Sequence, residues 1–179
     1  MKFNSENKII NALGFQGAWW SIALYQEKAI YLVILMISLH FLFLKQNRLT
    51  EFYFVLSISA FGVLIDSLLF NFDFFKFTNP MSLNPAIVPL WLMVLWLAFA
   101  STLRHCLSWL FKNKYVAFVV GGLGGSLSYI GAANLGAMTI VQPEFQSFLI
   151  LFVIWGLFFL IVKAMYSKFR PEEPCSEKV

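Results

Sequence analysis

Residues 50–72 read TEFYFVLSISAFGVLIDSLLFNF, and this stretch decides the fold class. A hydrocarbon core about 30 Å thick takes roughly 17 to 25 helical residues to cross, and this run is long enough. Backbone amides find no water inside a bilayer, so a helix is the expected form, and the run is too uniformly apolar for a barrel strand. The charge in its interior is the carboxylate of Asp66, which is therefore the first candidate for function.

The composition extends this interpretation to the whole chain. Of 179 residues, 60% are hydrophobic and 12% are charged, and the mean hydropathy is +0.75. These values lie far outside the averages of soluble domains and predict a polytopic membrane protein. No polar domain follows the first apolar run, so a removable signal peptide is not expected. The two cysteines, Cys106 and Cys175, have a spacing that supports neither a disulfide framework nor a zinc site.

Six apolar runs are candidates for transmembrane helices, and together they predict an all-α, six-helix membrane bundle. The first two runs are separated by three polar residues, which indicates a tight helical hairpin. The bundle fills one domain, residues 1–166, and the polar tail, residues 167–179, is predicted to be disordered. The predicted spans are residues 9–25, 29–44, 50–72, 86–111, 115–133 and 146–164.

Basic residues predict the orientation of the six spans. Lys and Arg accumulate in the cytoplasmic connections of membrane proteins. Of the 13 Lys and Arg residues, ten fall on the side that holds both termini, two fall on the other side, and Arg104 lies within a span. Both termini are therefore expected in the cytoplasm. The net charge of +4 then indicates contact with anionic lipid headgroups, and nucleic acid is not an expected partner.

Asp66 is expected to face the interior of the bundle. A mid-helix Asp costs roughly 2.5 to 3.5 kcal/mol on insertion scales, and each Leu, Ile, Phe or Val returns about 0.3 to 0.6 kcal/mol. Ser59, Gly62 and Asp66 follow an i, i+3, i+7 stripe, which places small and polar groups on one helix face. Intramembrane acids commonly line ion or substrate paths, so Asp66 is a candidate ion site, with a structural hydrogen bond as the alternative.

A second polar face follows on the next span, where Arg104 and His105 share a helix face with Ser101 and Ser108. An ion pair between Asp66 and Arg104 is not expected, because the helical rise separates them by about 14 Å in depth. Snorkelling of Arg104 and a hydrogen-bonded interior role for His105 remain alternatives to function. We therefore predict two polar layers. Their members are Gln16, Arg104 and His105 in the cytoplasmic layer, and Asp66, Ser126, Ser128 and Tyr129 in the outer layer.

Residues 121–137, GGLGGSLSYIGAANLGA, predict close helix packing, because GxxxG and related small-residue spacings let helix backbones approach each other. No GK[ST] follows, which excludes a P-loop. No HExxH motif, carboxylate cluster or Ser–His couple with a flanking motif is present, so we expect no catalytic residue, metal or cofactor. The expected packing residues are Gly121, Gly122, Gly124, Gly125 and Gly131.

Four segments together resemble a small bacterial inner-membrane family that is described as a domain of unknown function. They are NALGFQGAWW (11–20), FGVLIDSLLF (61–70), PLWLMVLWLAFASTLRHCLSWL (89–110) and GGLGGSLSYIGAANLGA (121–137), and the resemblance covers about residues 11–164. It implies a location in the bacterial inner membrane. A proline often follows the paired glycines in such proteins, and Ser126 stands there in this chain. The matching positions are Asn11, Gln16, Trp19, Asp66, Trp91, Trp96, His105, Gly125, Tyr129, Gly131, Leu135 and Gly136.

The resemblance also implies a link to lipid chemistry, since similar proteins are encoded near enzymes like cyclopropane-fatty-acid synthases and near stress-response proteins. The first hypothesis is a non-catalytic accessory or scaffold protein that binds membrane lipids, a lipid-modifying enzyme or a second copy of itself. The second is a small transporter with Asp66 as proton or cation site and Arg104 and His105 at a cytoplasmic gate. A lipid enzyme using Asp66 and His105 as acid and base is disfavoured by their difference in depth. A dry Asp66 bonded to Ser or Tyr would favour the first hypothesis.

Overall fold

The computed structural model describes residues 5–44, 47–77 and 81–168. Of the tail predicted to be disordered, residues 167 and 168 continue the last helix, and the remainder lies outside the described residues. Within the described ranges there are six α-helices: α1 Ser5–Tyr25, α2 Ile30–Phe43, α3 Arg48–Asn71, α4 Leu90–Leu103, α5 Lys114–Asn134 and α6 Glu144–Lys168. Short 3-10 helices occupy Gln26–Ala29 and Ser108–Lys112, and two short strands are β1 Phe75–Lys76 and β2 Thr139–Ile140.

The described part of the chain has the architecture of a helical membrane protein. Four of its helical segments are long and apolar enough to cross a membrane: Lys8–Phe43, Arg48–Asn71, Lys114–Asn134 and Glu144–Ser167. Leu90–Leu103 is apolar but shorter. The predicted class, an apolar helical bundle, is therefore confirmed.

The first of these segments folds back on itself between α1 and α2. The chain turns at Gln26, the first residue of the 3-10 helix, which adopts a left-handed φ of 47°. A Cβ built on Gly17 would lie 3.7 Å from the methyl group of Met36. In a continuous helix these two residues would be about 28 Å apart, so α1 and α2 run antiparallel as a hairpin. Both helices pack against α4.

Helix α4 differs from the predicted span, residues 86–111, because it is broken before the end of that run. It starts after Pro89, whose ring favours the backbone angles of a helix start. After Leu103, the N–H groups of His105 and Leu107 both donate to the carbonyl of Thr102, and a 3-10 helix follows. This turn directs the polar side chains after α4 towards α3 and α2, an arrangement that apolar periodicity did not predict.

Helices α5 and α6 pack closely through glycines. A Cβ built on Gly121 would lie 2.4 Å from the ring of Phe159, and one on Gly125 would lie 2.1 Å from the ring of Trp155. Real side chains do not approach so closely, so these positions require glycine while the aromatic rings stay where they are. The small-residue spacing thus corresponds to close approach of the two helices.

The other three glycines of the predicted packing set differ in their surroundings. A Cβ on Gly122 would lie 2.7 Å from the carbonyl oxygen of Phe152, so Gly122 also belongs to the α5–α6 contact. A Cβ on Gly124 would have no neighbour within 4 Å among the described residues, and Gly131 has ordinary contact distances to Trp19 of α1. Gly124 therefore does not pack α5 on α6, and its empty surroundings belong to the cavity described below.

The two longer connections between helices are joined by β1 and β2. Phe75 pairs with Ile140 and Lys76 with Thr139 in antiparallel register. Phe75 is completely buried, and its ring stacks on that of Tyr129 with centroids 5.3 Å apart. The small sheet therefore closes the bundle at the end where the C-terminal half of α3 lies.

Candidate functional site

Asp66 of α3 joins three helices through one carboxylate oxygen. Its side chain is buried, and its Oδ2 accepts hydrogen bonds from Nε1 of Trp96 at 2.7 Å and from the hydroxyl of Tyr129 at 2.6 Å. These donors belong to α4 and α5. The free space beside Asp66 is about 10 Å³, which is about the least that one water molecule needs. Asp66 is thus tightly packed, with room for at most about one water molecule beside it.

Tyr129 is the member of the predicted outer layer that bonds to Asp66. The hydroxyl of Ser126 donates to the carbonyl of Gly122, and that of Ser128 donates to the carbonyl of Gly125, each at 2.8 Å and within α5. Hydroxyl groups in apolar helices commonly bond to their own backbone in this way. The donors to Asp66 are therefore the two aromatic residues Trp96 and Tyr129, whereas these two serine hydroxyls bond to their own helix.

Trp96 is the partner of Asp66 that sequence reasoning missed. The sequence could have indicated it, because a buried indole usually donates its N–H to an acceptor. Trp96 lies within the apolar helix that follows α3 in sequence. Its position is fixed by Gly62 of α3, where a Cβ would lie 2.2 Å from the indole ring. The ring also stacks on Trp155 of α6, with centroids 5.2 Å apart and planes inclined by 4°. Asp66 therefore orients an indole that contacts two helices.

A cavity of about 500 Å³ lies on the other side of these aromatic rings, between the α1–α4 pair and the α5–α6 pair. Trp96, Tyr129 and Trp155 form part of its wall, whereas Asp66 lies behind them. The wall is mainly apolar and aromatic. Asp66 is consequently a positioning residue for the cavity wall and does not face the cavity.

The polar groups on the cavity wall include Gln16 of α1 and Ser128 of α5. Gln16, which was predicted in the cytoplasmic layer beside Arg104 and His105, lies on the cavity wall. The reason is that α1 packs on α4 with Ala18 and Ile22 buried, which turns the face that carries Gln16 into the cavity. Gly124 also lines this space, which is why a Cβ built on it meets no atom of the described residues within 4 Å.

A second buried polar cluster surrounds Glu51 in the first turn of α3. Glu51 is 3% exposed, and its Oε2 lies 3.1 Å from Nη1 of Arg104. Its Oε1 lies 3.0 Å from Nε2 of His105 and 3.7 Å from Nε2 of His40 on α2. Glu51 and Asp66 are fifteen residues apart on one helix, or about 22 Å. Glu51 and Asp66 therefore lie in two separate polar layers, and Arg104 and His105 share the layer that lacks Asp66.

Glu51 was not predicted, because a charge near the end of a span is ordinary at a membrane interface. The signal that could have found it is the Arg104–His105 pair, since a buried guanidinium requires an acidic partner. Depth counted from the helix ends would then have pointed to Glu51 on the neighbouring span. Its carboxylate lies 3.1 Å from Nη1 of Arg104.

Asn11, a position carried over from the family resemblance, supports the turn after α4. Its Nδ2 donates to the carbonyl of Ser101 at 3.5 Å, and its Oδ1 accepts from the N–H of Cys106 at 3.4 Å. Helix termination leaves such backbone groups without their usual partners. Asn11 thereby helps to hold Arg104 and His105, which lie between these two residues, in the direction of Glu51.

These arrangements lie in the part of the chain that family comparison recognises. The family model described as "Protein of unknown function (DUF2878)" matches residues 8–161. The chain belongs to this family. The match includes Asp66, Glu51, both of their networks and the cavity, and it confirms the resemblance drawn from the four sequence segments. No curated protein and no solved structure matches the chain.

Proposed function

We propose that this membrane protein binds a lipid-like apolar ligand in the 500 Å³ cavity and acts as a non-catalytic accessory to membrane-lipid modification or the stress response. The observation that carries the proposal is the cavity itself. Its volume falls within the roughly 300 to 1,000 Å³ of small-molecule sites, and such sites combine apolar walls with a few polar groups. Here Gln16 and Ser128 supply polar groups among aromatic rings.

The surroundings of the cavity favour a ligand that arrives from the bilayer. Trp20 of α1 and Leu127 of α5 line the cavity and are also exposed on the outside of the bundle, by 47% and 58%. The cavity thus reaches the apolar surface of the helices between α1 and α5. An acyl chain entering there would exchange one apolar environment for another, and Gln16 would bind its polar end.

We further infer that the bundle crosses a bacterial inner membrane six times, with both termini in the cytoplasm. If the α1–α2 hairpin counts as two crossings, α1 to α6 give six, which is an even number. The ten-to-two distribution of basic residues also supports an even number. Helix α4 is about 21 Å long, and the turn and 3-10 helix after it would complete its crossing. A lipid-modifying enzyme or a second copy of the chain would be the protein partner.

The alternative function, a proton- or cation-coupled transporter with Asp66 as the ion site, has less support. Trp96 and Tyr129 occupy one carboxylate oxygen of Asp66, and the adjoining space holds at most about one water molecule. An ion path needs a wider polar passage at that depth. The large cavity is separated from Asp66 by the aromatic wall.

Photolabelling of the purified protein with a diazirine-bearing fatty acid would test the proposal. Gly124→Leu places a side chain in the cavity without a clash at its Cβ, which would have no neighbour within 4 Å among the described residues. Ala60→Leu is the control, since Ala60 is an exposed residue of α3 outside the cavity. We expect Gly124→Leu to lose most of the labelling and Ala60→Leu to retain it, with both proteins helical by circular dichroism. Equal labelling of the two variants would refute ligand binding in the cavity.

A further inference from the structure

We propose that His40, Glu51 and His105 form a binding site for a divalent transition-metal ion such as Zn²⁺. The site lies where α2, the start of α3 and the turn after α4 meet, apart from the lipid cavity. One ligand atom from each of these residues lies within 4.8 Å of the other two. The sequence predicted no metal, because the three residues come from separate elements and form no local motif.

The donor set fits transition-metal chemistry. Two imidazole nitrogens and one carboxylate oxygen bind Zn²⁺ in some hydrolases and Fe²⁺ in 2-His-1-carboxylate sites. Zinc bonds of about 2.0 to 2.1 Å in tetrahedral geometry hold neighbouring ligand atoms roughly 3.3 Å apart. The distances from Oε1 of Glu51 to Nε2 of His105 and of His40 are 3.0 and 3.7 Å, which bracket this value. Small side-chain movements would therefore complete the coordination.

His40 distinguishes a metal site from an ordinary ion pair. Its Nε2 atom is buried and has no hydrogen-bond partner among the described residues. At 3.7 Å it lies beyond hydrogen-bond distance from Oε1 of Glu51, the same oxygen that lies 3.0 Å from Nε2 of His105. A buried polar atom without a partner is costly, and coordination of a metal ion would satisfy it.

Arg104 would act as a positioning residue for the carboxylate. Its guanidinium contacts Oε2 of Glu51, which leaves Oε1 for the metal. Groups that bind the second oxygen or nitrogen of a ligand orient it in many metal sites. The positive charge of Arg104 also opposes a cation, so an anionic fourth ligand such as hydroxide is expected with the bound ion. Without metal, Glu51 and Arg104 form a balanced ion pair, and this is the competing interpretation.

Metal titration of the full-length protein in detergent tests the proposal, with Co²⁺ as the probe and Zn²⁺ as the competitor. The protein must carry no polyhistidine tag, and Cys106→Ser and Cys175→Ser remove both thiols from the background. In this background we expect one Co²⁺ per chain, with the visible absorption of a low-symmetry site and displacement by Zn²⁺. His40→Gln should weaken binding by about tenfold or more, because one of three ligands is lost.

Asp66→Asn provides the matched control, since it neutralises the other buried carboxylate of α3 about 22 Å away. This variant should bind Co²⁺ as the background protein does. Co²⁺ binding that is absent from the folded background protein, or equal in His40→Gln, would overturn the proposal and leave an ion pair only. Fatty-acid labelling of His40→Gln should be unchanged, because His40 does not line the cavity. Failure of the metal site and failure of the lipid site are thereby distinguished.

Discussion

Asp66→Ala should unfold the bundle more easily, because it leaves the Trp96 indole N–H and the Tyr129 hydroxyl without their acceptor. Both donors are buried, and the adjoining space of about 10 Å³ offers little room for replacement by water. An unsatisfied buried donor costs about 1 to 3 kcal/mol in soluble proteins, so two donors would cost roughly 2 to 6 kcal/mol. Measured side-chain hydrogen bonds in a membrane protein average about 0.6 kcal/mol each, with a maximum near 1.7 kcal/mol, which favours the lower part of that range.

We therefore expect a loss of about 2 to 3 kcal/mol in the free energy of unfolding for Asp66→Ala. Asp66→Asn should lose less, because its amide oxygen can still accept both hydrogen bonds. The assay is unfolding by sodium dodecyl sulfate in mixed micelles, followed by circular dichroism. The near-ultraviolet signal of the stacked Trp96–Trp155 pair reports the local packing.

A double-mutant cycle with Tyr129→Phe isolates the contribution of one hydrogen bond. If Tyr129 stabilises the bundle through Asp66, removal of its hydroxyl should cost less stability in the Asp66→Ala background than in the wild type. Two results would refute the reasoning. One is an Asp66→Ala protein as stable as the wild type, and the other is strict additivity of the two substitutions.

Three further predictions concern helix packing, the second polar cluster and topology. Gly125→Ala should destabilise the bundle by about 1 to 3 kcal/mol through overpacking against Trp155, whereas Gly124→Ala should be near neutral or stabilising. Thermal unfolding compares the two variants, and equal stability would contradict the close contact between Gly125 and Trp155. Glu51→Gln should cost about 3 to 5 kcal/mol, because the buried guanidinium of Arg104 loses the carboxylate that lies 3.1 Å from it. A Glu51→Gln protein as stable as the wild type in the same denaturation assay would contradict this role of the ion pair. Alkaline phosphatase fused to the N- or C-terminus should stay inactive, and green fluorescent protein fused to either terminus should fluoresce. An active phosphatase at one terminus would refute six crossings with both termini in the cytoplasm.

Local features of the sequence determined that the chain is a helical membrane protein. The length and hydropathy of a run are properties of that run alone, so residues 50–72 indicated α3 without knowledge of the helices that pack against it. The polar residues between the first two runs likewise predicted the reversal that occurs at Gln26. Small-residue spacing predicted close approach at Gly121 and Gly125, because absence of a side chain is itself a local property.

The partners of the polar groups were decided by tertiary structure. Spacing along one helix shows which residues share a face, but the rotation and depth of the neighbouring helix determine what that face meets. Trp96 reaches Asp66 because its ring lies against Gly62, and Arg104 reaches Glu51 because α4 ends at Leu103. The cavity and the convergence of His40 and His105 on one oxygen also arise between elements distant in sequence. Such features depend on the packing of several helices at once, and for that physical reason the sequence alone did not reveal them.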